Sequence, residues 1–237
     1  MSDNAPKPGK NTGRFITFEG GEGVGKSTQI QYLAERFRKL GFQVQVSREP
    51  GGTTGAEAIR HVILEAGFGE PFGPEAEAML FAAARNDHVN QLIRPGIANG
   101  DIVIIDRYMD STRVYQGVSG ELNADFVAAL ERVAIDGVVP DITILLDLDP
   151  AIGMERAASR RSASEDADRF EKEQLDIHEA RRDAFLALSA AEPERFIVVD
   201  ANASIEQISD EVWRKASQHD RIAPLLEKRI AKALESS

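Results

Sequence analysis

Arg14-Phe15-Ile16-Thr17-Phe18-Glu19-Gly20-Gly21-Glu22-Gly23-Val24-Gly25-Lys26-Ser27-Thr28 decides the reading of this chain. Its first part, Arg14 to Glu19, is apolar, β-branched and aromatic, which predicts a strand. Gly20 to Ser27 then fits the pattern G-x-x-x-x-G-K-[ST]. Glycines let the backbone curl so that its N–H groups point inward around phosphate oxygens. The helix that starts near Lys26 adds the positive end of its dipole. Lys26 supplies a cation for the β- and γ-phosphates, and Ser27 an oxygen for Mg²⁺. From Lys26 to Leu40 the residues Ile30, Leu33, Phe37 and Leu40 share one side of a helix, and Gly41 stops it. Strand, glycine-rich turn and amphipathic helix are the context this pattern requires. Gly20, Gly21, Glu22, Gly23, Val24, Gly25, Lys26, Ser27 and Thr28 are therefore expected to hold a nucleoside triphosphate with Mg²⁺.

Outward from this stretch, short apolar runs alternate with helical spacing. Gln43 to Ser47 reads as a second strand, Asp101 to Asp106 as a third, Asp141 to Asp147 as a fourth and Arg195 to Asp200 as a fifth. Glu49-Pro50-Gly51-Gly52 must be a loop. Helices are expected over about Gly55 to Ala66 and Pro74 to Ile93. Strands this apolar fit a sheet covered on both faces. The expected class is α/β, a three-layer P-loop NTPase-type fold with a five-stranded, mostly parallel sheet between helices. Met1 to Gly13 is polar, holds Pro6, Pro8 and Gly9, and lacks the apolar segment of a secretory signal, so it reads as a flexible tail. Ser159 to Asp168 is nearly all polar, which predicts a solvated, mobile loop. Asp220 to Ser237 spaces Ile222, Leu225, Leu226, Ile230 and Leu234 as one amphipathic helix. The organisation expected is a tail over 1–13, one domain over 14–217 and a helical extension over 218–237.

The chain has 237 residues with 28 Lys+Arg and 39 Asp+Glu, a net charge of −11. That acidity argues against nucleic acid and anionic membrane surfaces as partners, although a local basic pocket is compatible with it. There is no cysteine, which excludes disulfides, thiolate nucleophiles and Cys-ligated metal sites. His61, His88, His178 and His219 have no metal-ligand spacing and are expected to be structural or surface residues. No apolar run reaches the roughly 18 residues of a membrane span, and a cytoplasmic protein is expected.

GTP-binding switches carry N-K-x-D and D-x-x-G motifs, and neither occurs here. Asp106 is followed by Arg107 and Asp147 by Leu148, so no strand-end carboxylate stands ready to activate water. An acceptor other than water is expected. Polar clusters fall just past strand ends, where ligands bind in such sheets. One is Arg48-Glu49-Pro50-Gly51-Gly52; another is Asp106-Arg107-Tyr108 with Ser111, Thr112, Tyr115 and Gln116. Phe81 and Arg85, at i and i+4, share a helix face on which a base can stack and be hydrogen-bonded. On spacing alone, Phe81 and Tyr115 fit equally well as core aromatics, and Arg85 as a surface ion-pair partner. Two arginines at strand ends can clamp a monophosphate. Asp147 and Asp149 are expected to cap the helix near Pro150.

The phosphate loop, Arg48-Glu49-Pro50-Gly51-Gly52, Phe81-x-x-x-Arg85 and Asp106-Arg107-Tyr108-x-x-Ser111-Thr112-x-x-Tyr115-Gln116 together resemble the thymidylate kinases, the dTMP-phosphorylating branch of the nucleoside monophosphate kinases. The resemblance runs from about Arg14 to Trp213. It implies ATP as co-substrate, Mg²⁺ as cofactor, dTMP as acceptor and a homodimer. It implies that Arg48 and Arg107 hold the dTMP phosphate, Phe81 stacks on thymine and Arg85 reaches its exocyclic oxygen. Glu22 would contact the sugar 3′-hydroxyl, and Tyr115 would lie beneath the deoxyribose and disfavour a 2′-hydroxyl. Thr112 and Gln116 would line the base pocket, and Asp106 would help order Mg²⁺. Ser111 and Pro50 complete the acceptor set, the Glu49–Pro50 bond being a candidate for the cis form.

Some members of the family carry a catalytic arginine in the phosphate loop, but Gly21 to Val24 holds none. The other branch supplies it from a lid. Here Arg156, Arg160 and Arg161 precede Asp168-Arg169-Phe170-Glu171, which places the lid at about 156–170. Arg160, with Arg161 as substitute, is expected to join Lys26 and Arg107 in stabilising the transferring phosphoryl group. Arg156 suits a salt bridge equally well. The Asp200-Ala201-Asn202 turn is expected near the adenine. The reaction implied is ATP + dTMP → ADP + dTDP, by direct in-line transfer. The residues alone leave two alternatives: a kinase for another small nucleotide acceptor, and a P-loop NTPase switch.

Overall fold

In the computed structural model, which describes residues 13–64, 72–160 and 174–235, five strands lie side by side. They are β1 (Arg14–Glu19), β2 (Val44–Arg48), β3 (Ile102–Asp106), β4 (Ile142–Asp147) and β5 (Phe196–Asp200). Their order is β2-β3-β1-β4-β5. Every neighbouring pair is parallel, so the sheet expected to be mostly parallel is parallel throughout. All the C-terminal strand ends therefore open on one edge. The strand order reverses at β1, and the crevice at such a switch point is where ligands bind.

Alternation of side chains along the strands divides the core into two layers. Ile16, Phe18, Ile102, Ile104, Ile144 and Leu146 face one side. There they meet Ile30, Leu33 and Phe37 of α1 (Lys26–Lys39) and Ile208 and Val212 of α9 (Ile205–Gln218). Phe15, Val103 and Ile105 face the other side with Val89, Ile93, Tyr108 and Ile135. Central polar positions are paired: the buried hydroxyls of Thr17 and Thr143 hydrogen-bond at 2.8 Å.

Helix α3 (Pro74–His88) packs against both α2 (Thr54–Leu64) and α6 (Ala124–Ile135). The single helix expected over Pro74 to Ile93 is instead α3, a π-helical turn at Val89–Ile93, and α4 (Arg94–Asn99). The wider turn keeps Val89 and Ile93 buried on the sheet, while Pro95 falls in the first turn of α4, where its missing N–H costs no intrahelical bond. After β3, α5 (Met109–Thr112) runs into a second π-helical turn at Arg113–Val118. The remaining helices are α7 (Pro150–Arg160), α8 (Leu175–Ala191) and α10 (Ala223–Glu235).

Several local expectations are corrected. Leu40 lies past the end of α1 and is exposed rather than part of its buried stripe. Asp149 does cap α7, accepting from the Ala151 N–H at 2.8 Å. Asp147 does not; it ends β4, too far from the helix start, and both its oxygens pair with Arg182 at 2.6 and 2.9 Å. Helix α7 includes Ser159 and Arg160, which were expected in the polar loop; the rest of that stretch lies outside the described residues. Arg161 and the Asp168–Glu171 motif lie outside the described residues, as does the side chain of Arg160. At the C-terminus, Ile222 and Leu226 belong to the main core, whereas Ile230 and Leu234 are 52% and 75% exposed. The apolar face of α10 is therefore used only at its start. Among the described residues no helix is long and apolar enough to cross a membrane.

Candidate active site

The chain leaves β1 at the centre of the sheet and curls through Gly20 to Gly25 before α1 begins. Gly23 has φ +69°, and a Cβ there would lie 1.9 Å from the Gly153 carbonyl oxygen at α7, so no side chain fits. Gly25 stands at the helix N-terminus. The buried ammonium of Lys26 donates to the carbonyls of Gly20 at 3.1 Å and Gly21 at 2.8 Å. It thus bridges the loop in which a triphosphate would sit. Burial and the neighbouring Arg107 guanidinium both lower the Lys26 pKa from its ordinary value.

A cleft of about 220 Å³ runs from this loop to the acceptor residues. Glu22, Lys26, Ser27, Arg48, Pro50, Phe81, Arg85, Asp106, Arg107, Ser111, Thr112, Tyr115 and Gln116 all line it. The parallel register explains the convergence, since Arg48 and Asp106 are paired at the ends of β2 and β3, and Phe18 pairs with Asp106. Arg107 follows with φ +64°, a conformation that costs about 1–3 kcal/mol for a non-glycine residue. It is held there by its N–H to the Phe18 carbonyl at 2.9 Å and by side-chain bonds to Glu22 and to Ser111 Oγ. Tyr115 lies between two guanidiniums, with those of Arg107 and Arg181 at 5.0 and 4.2 Å from its ring centroid. Its hydroxyl donates to Glu22 at 3.2 Å. Tyr115 is therefore both a packed core aromatic and part of the cleft wall.

Arg85 is no surface ion-pair residue. Its guanidinium donates to Glu49 at 2.6 Å, to Thr112 Oγ1 at 2.9 Å and to the Tyr108 carbonyl at 2.9 Å. Gln116 donates its amide to Glu77 at 2.7 Å. Phe81, one turn before Arg85 on α3, is half-buried on the wall. Arg48 sits at the exposed rim, paired with Glu57 at 3.0 Å. The Glu49–Pro50 peptide, a candidate for the cis form under the resemblance, is cis. Arg156 donates to the Ala201 carbonyl at 3.0 Å, which ties α7 to the turn after β5.

The electrostatics oppose the chain's overall charge. Lys26, Arg48, Arg60, Arg85 and Arg107, set against Glu22, Glu49 and Asp106, leave the cleft lining with an excess of positive charge in an acidic protein. Burial alone would raise the Glu22 pKa, but Arg107 and Lys26 outweigh it and hold the carboxyl at about 2. Glu19 behaves oppositely: complete burial, reinforced by Asp110, pushes it up to about 7.

The residues present fit a hard divalent cation. Asp106 Oδ1 is buried with no hydrogen-bond partner, and Asp106 Oδ2 lies 3.4 Å from Ser27 Oγ, beside the phosphate loop. Among the described residues there is no cluster of three or more His, Asp or Glu that would cage a metal. One carboxylate, a hydroxyl and substrate phosphates are the usual donor set for Mg²⁺.

Sequence reading gave Glu19 and Glu77 no site role, named Glu49 only within the loop after β2, and took His88 as a structural or surface residue. Glu19 is fully buried and accepts from the Tyr108 N–H at 2.8 Å and from Ser111 Oγ at 2.7 Å. A charged residue closing an apolar strand was the available signal for it. For His88 the signal was its position three residues after Arg85, on the same helix face.

The fold and this cleft define a phosphate-loop nucleotide-binding protein with an adjoining anion-receptive pocket. A family model described as thymidylate kinase matches residues 18–212. The chain is 49% identical over 213 residues to a thymidylate kinase of Bradyrhizobium sp. (strain ORS 278), covering 90% of this chain and 93% of that one. It is 48% identical over 224 residues to a thymidylate kinase of Bradyrhizobium diazoefficiens, covering 94% and 96%. The chain belongs to the thymidylate kinase family.

Proposed function

We infer that this chain transfers the γ-phosphoryl group of ATP to dTMP, giving ADP and dTDP. The near-full-length family match carries the inference, and the continuous cleft from phosphate loop to acceptor residues supports it. In this reading the loop N–H groups and Lys26 hold the donor phosphates. Arg48 and Arg107, at the ends of adjacent strands, clamp the acceptor phosphate. Glu22, ionised at every pH of interest, accepts from the sugar 3′-hydroxyl, and Tyr115 fills the space beneath the deoxyribose. Phe81 stacks on the base, Arg85 donates to its exocyclic oxygen, and Thr112, Gln116, Pro50 and Ser111 complete the pocket. Ser27 and Asp106 would hold Mg²⁺, which neutralises charge on the β- and γ-phosphates when bound. Arg160 and Arg161, where α7 ends, bring positive charge to the transferring group on closure and help to exclude water. Catalysis is orientation plus charge neutralisation, with no phosphorylated enzyme.

We also propose a cytoplasmic homodimer, as the family resemblance implies; α3 and α6 pack together and each exposes a large apolar side chain, Met79 at 50% and Val133 at 72%, that a second copy would cover. The reaction is tested with ATP labelled at its γ-phosphate. The label should move to dTDP, with none retained on the protein. Label on the protein, or label released as phosphate whether or not dTMP is present, would overturn the reading.

A further inference from the structure

The base-facing arginine is not held by the cleft alone. Arg85 and Glu49 are each 3% exposed in their side chains, and Glu49 Oε2 accepts from Arg85 Nε at 2.6 Å. The other oxygen, Oε1, contacts His88 Nδ1 at 3.0 Å. His88 is wholly buried, and its Nε2 lies 2.9 Å from Ser47 Oγ. An ionised carboxylate only accepts, so the proton of His88 sits on Nδ1, and in the neutral ring Ser47 donates to Nε2. Four side chains from β2, its following loop and α3 thus form one line: Ser47, His88, Glu49, Arg85.

The line is tightly packed. Gly52, at φ +87°, covers its far end, and a Cβ there would lie 2.0 Å from Ser47 Oγ and 2.7 Å from His88 Nε2. At the near end, a guanidinium carries five N–H groups. Glu49, Thr112 and the Tyr108 carbonyl take three of them among the described residues. The N–H groups left over are pure donors in the cleft wall. A keto oxygen satisfies them; an amino group, itself a donor, leaves them unpaired.

We propose that His88, fixed between Ser47 and Glu49, is a positioning residue for Arg85, and that this line sets the preference for a keto over an amino group on the acceptor's base. The proposal rests on the reading above that Arg85 faces the exocyclic oxygen of the base. Burial works to lower the Arg85 pKa, yet Glu49, joined by Tyr108 and Glu19, outweighs it and the pKa is raised.

The test compares dissociation constants for dTMP, dCMP and dUMP, the last two by competition against dTMP, together with kcat for dTMP. Removing one hydrogen bond to a charged group is worth about tenfold. His88→Ala should therefore lower the dTMP-over-dCMP preference by about tenfold through binding, with kcat changed by less than about twofold. The dTMP-over-dUMP preference should hold, because uracil presents the same keto group. His88→Asn, whose amide N–H can stand where Nδ1 stood, should restore most of the loss. Ser47→Ala should move the same ratio about two- to threefold, one neutral hydrogen bond being weaker, and it decides the matter if His88→Ala does not fold. An unchanged dTMP-over-dCMP ratio, or an equal fall against dUMP, overturns the proposal. Arg85→Ala separates the two levels. If it leaves the ratio unchanged, the base-reading role of Arg85 fails. If it collapses the ratio while His88→Ala and Ser47→Ala do not, the positioning role alone fails.

Discussion

Lys26 is buried, yet its partners are loop carbonyls rather than a carboxylate. In the proposed reading it is a cation kept for a phosphate. Lys26→Ala should lower kcat/KM for ATP by about two to three orders of magnitude, the usual effect of losing a preorganised charge contact. Retained full turnover in steady-state assays would contradict the donor-site reading. Residues of this kind were legible because the phosphate loop is local: donor, turn and helix start lie within one short stretch. Glu19 and Glu49 were not, because their partners are remote in sequence. Glu19 meets Tyr108 across 89 residues, and Glu49 meets Arg85 across 36. Apolar periodicity carries no signal for such pairings.

Between residues and elements stands the tie from β1 to α5. Glu19, the last residue of β1, accepts from the Tyr108 and Ser111 N–H groups and so fixes the turn that presents Arg107. Its carboxyl is pushed from 4.5 up to about 7 by burial and then by Asp110. The folded protein therefore keeps this proton at pH values where the unfolded chain has lost it. Its contribution to stability is fully present below about pH 4.5 and is lost as pH rises through about 7. Glu19→Gln cannot titrate, so urea unfolding should lose part of its decline in stability between about pH 5 and 8. Identical pH slopes in the variant and the parent would show that Glu19 does not titrate in this range. Helix α7 ends at Arg160. Arg160→Ala together with Arg161→Ala should cut kcat by about a thousandfold, the scale of a charge-stabilising arginine, with little effect on dTMP binding. An unchanged kcat would remove these arginines from the mechanism.

Strands were the most legible elements, since Ile102 to Ile105, wholly apolar, and Ile142 to Leu146, apolar except for Thr143, are buried on both faces. The π-helical turns were not legible. They widen helices at Val89–Ile93 and Arg113–Val118 to fit the sheet beneath, a demand that helical spacing does not encode.

At the scale of the whole molecule, the last helix is more than an appendage. Ile222, immediately before α10, is fully buried and joins Leu226, within α10, in the main core with Val212 and Ala216. Ile222→Ala should destabilise the protein by about 2–5 kcal/mol, as large-to-small changes at buried sites do. Removal of residues 218–237 should cost at least as much, read by chemical unfolding. Ile230→Ala, on the exposed half, should cost under about 0.5 kcal/mol. Equal effects at Ile222 and Ile230 would contradict this packing. The sequence pattern placed the helix but not the side of it that is used, because only the core decides which part of an apolar stripe finds a partner.

The central claim is that the basic cleft beside the phosphate loop receives dTMP. ADP release with Mg²⁺-ATP, scanned over dTMP, dUMP, dCMP, dGMP, AMP and no acceptor, tests it most directly. Turnover should be fast with dTMP, far above that with dCMP, the purine monophosphates or water. Equal ADP release without any monophosphate, or faster turnover with a purine acceptor, would contradict it.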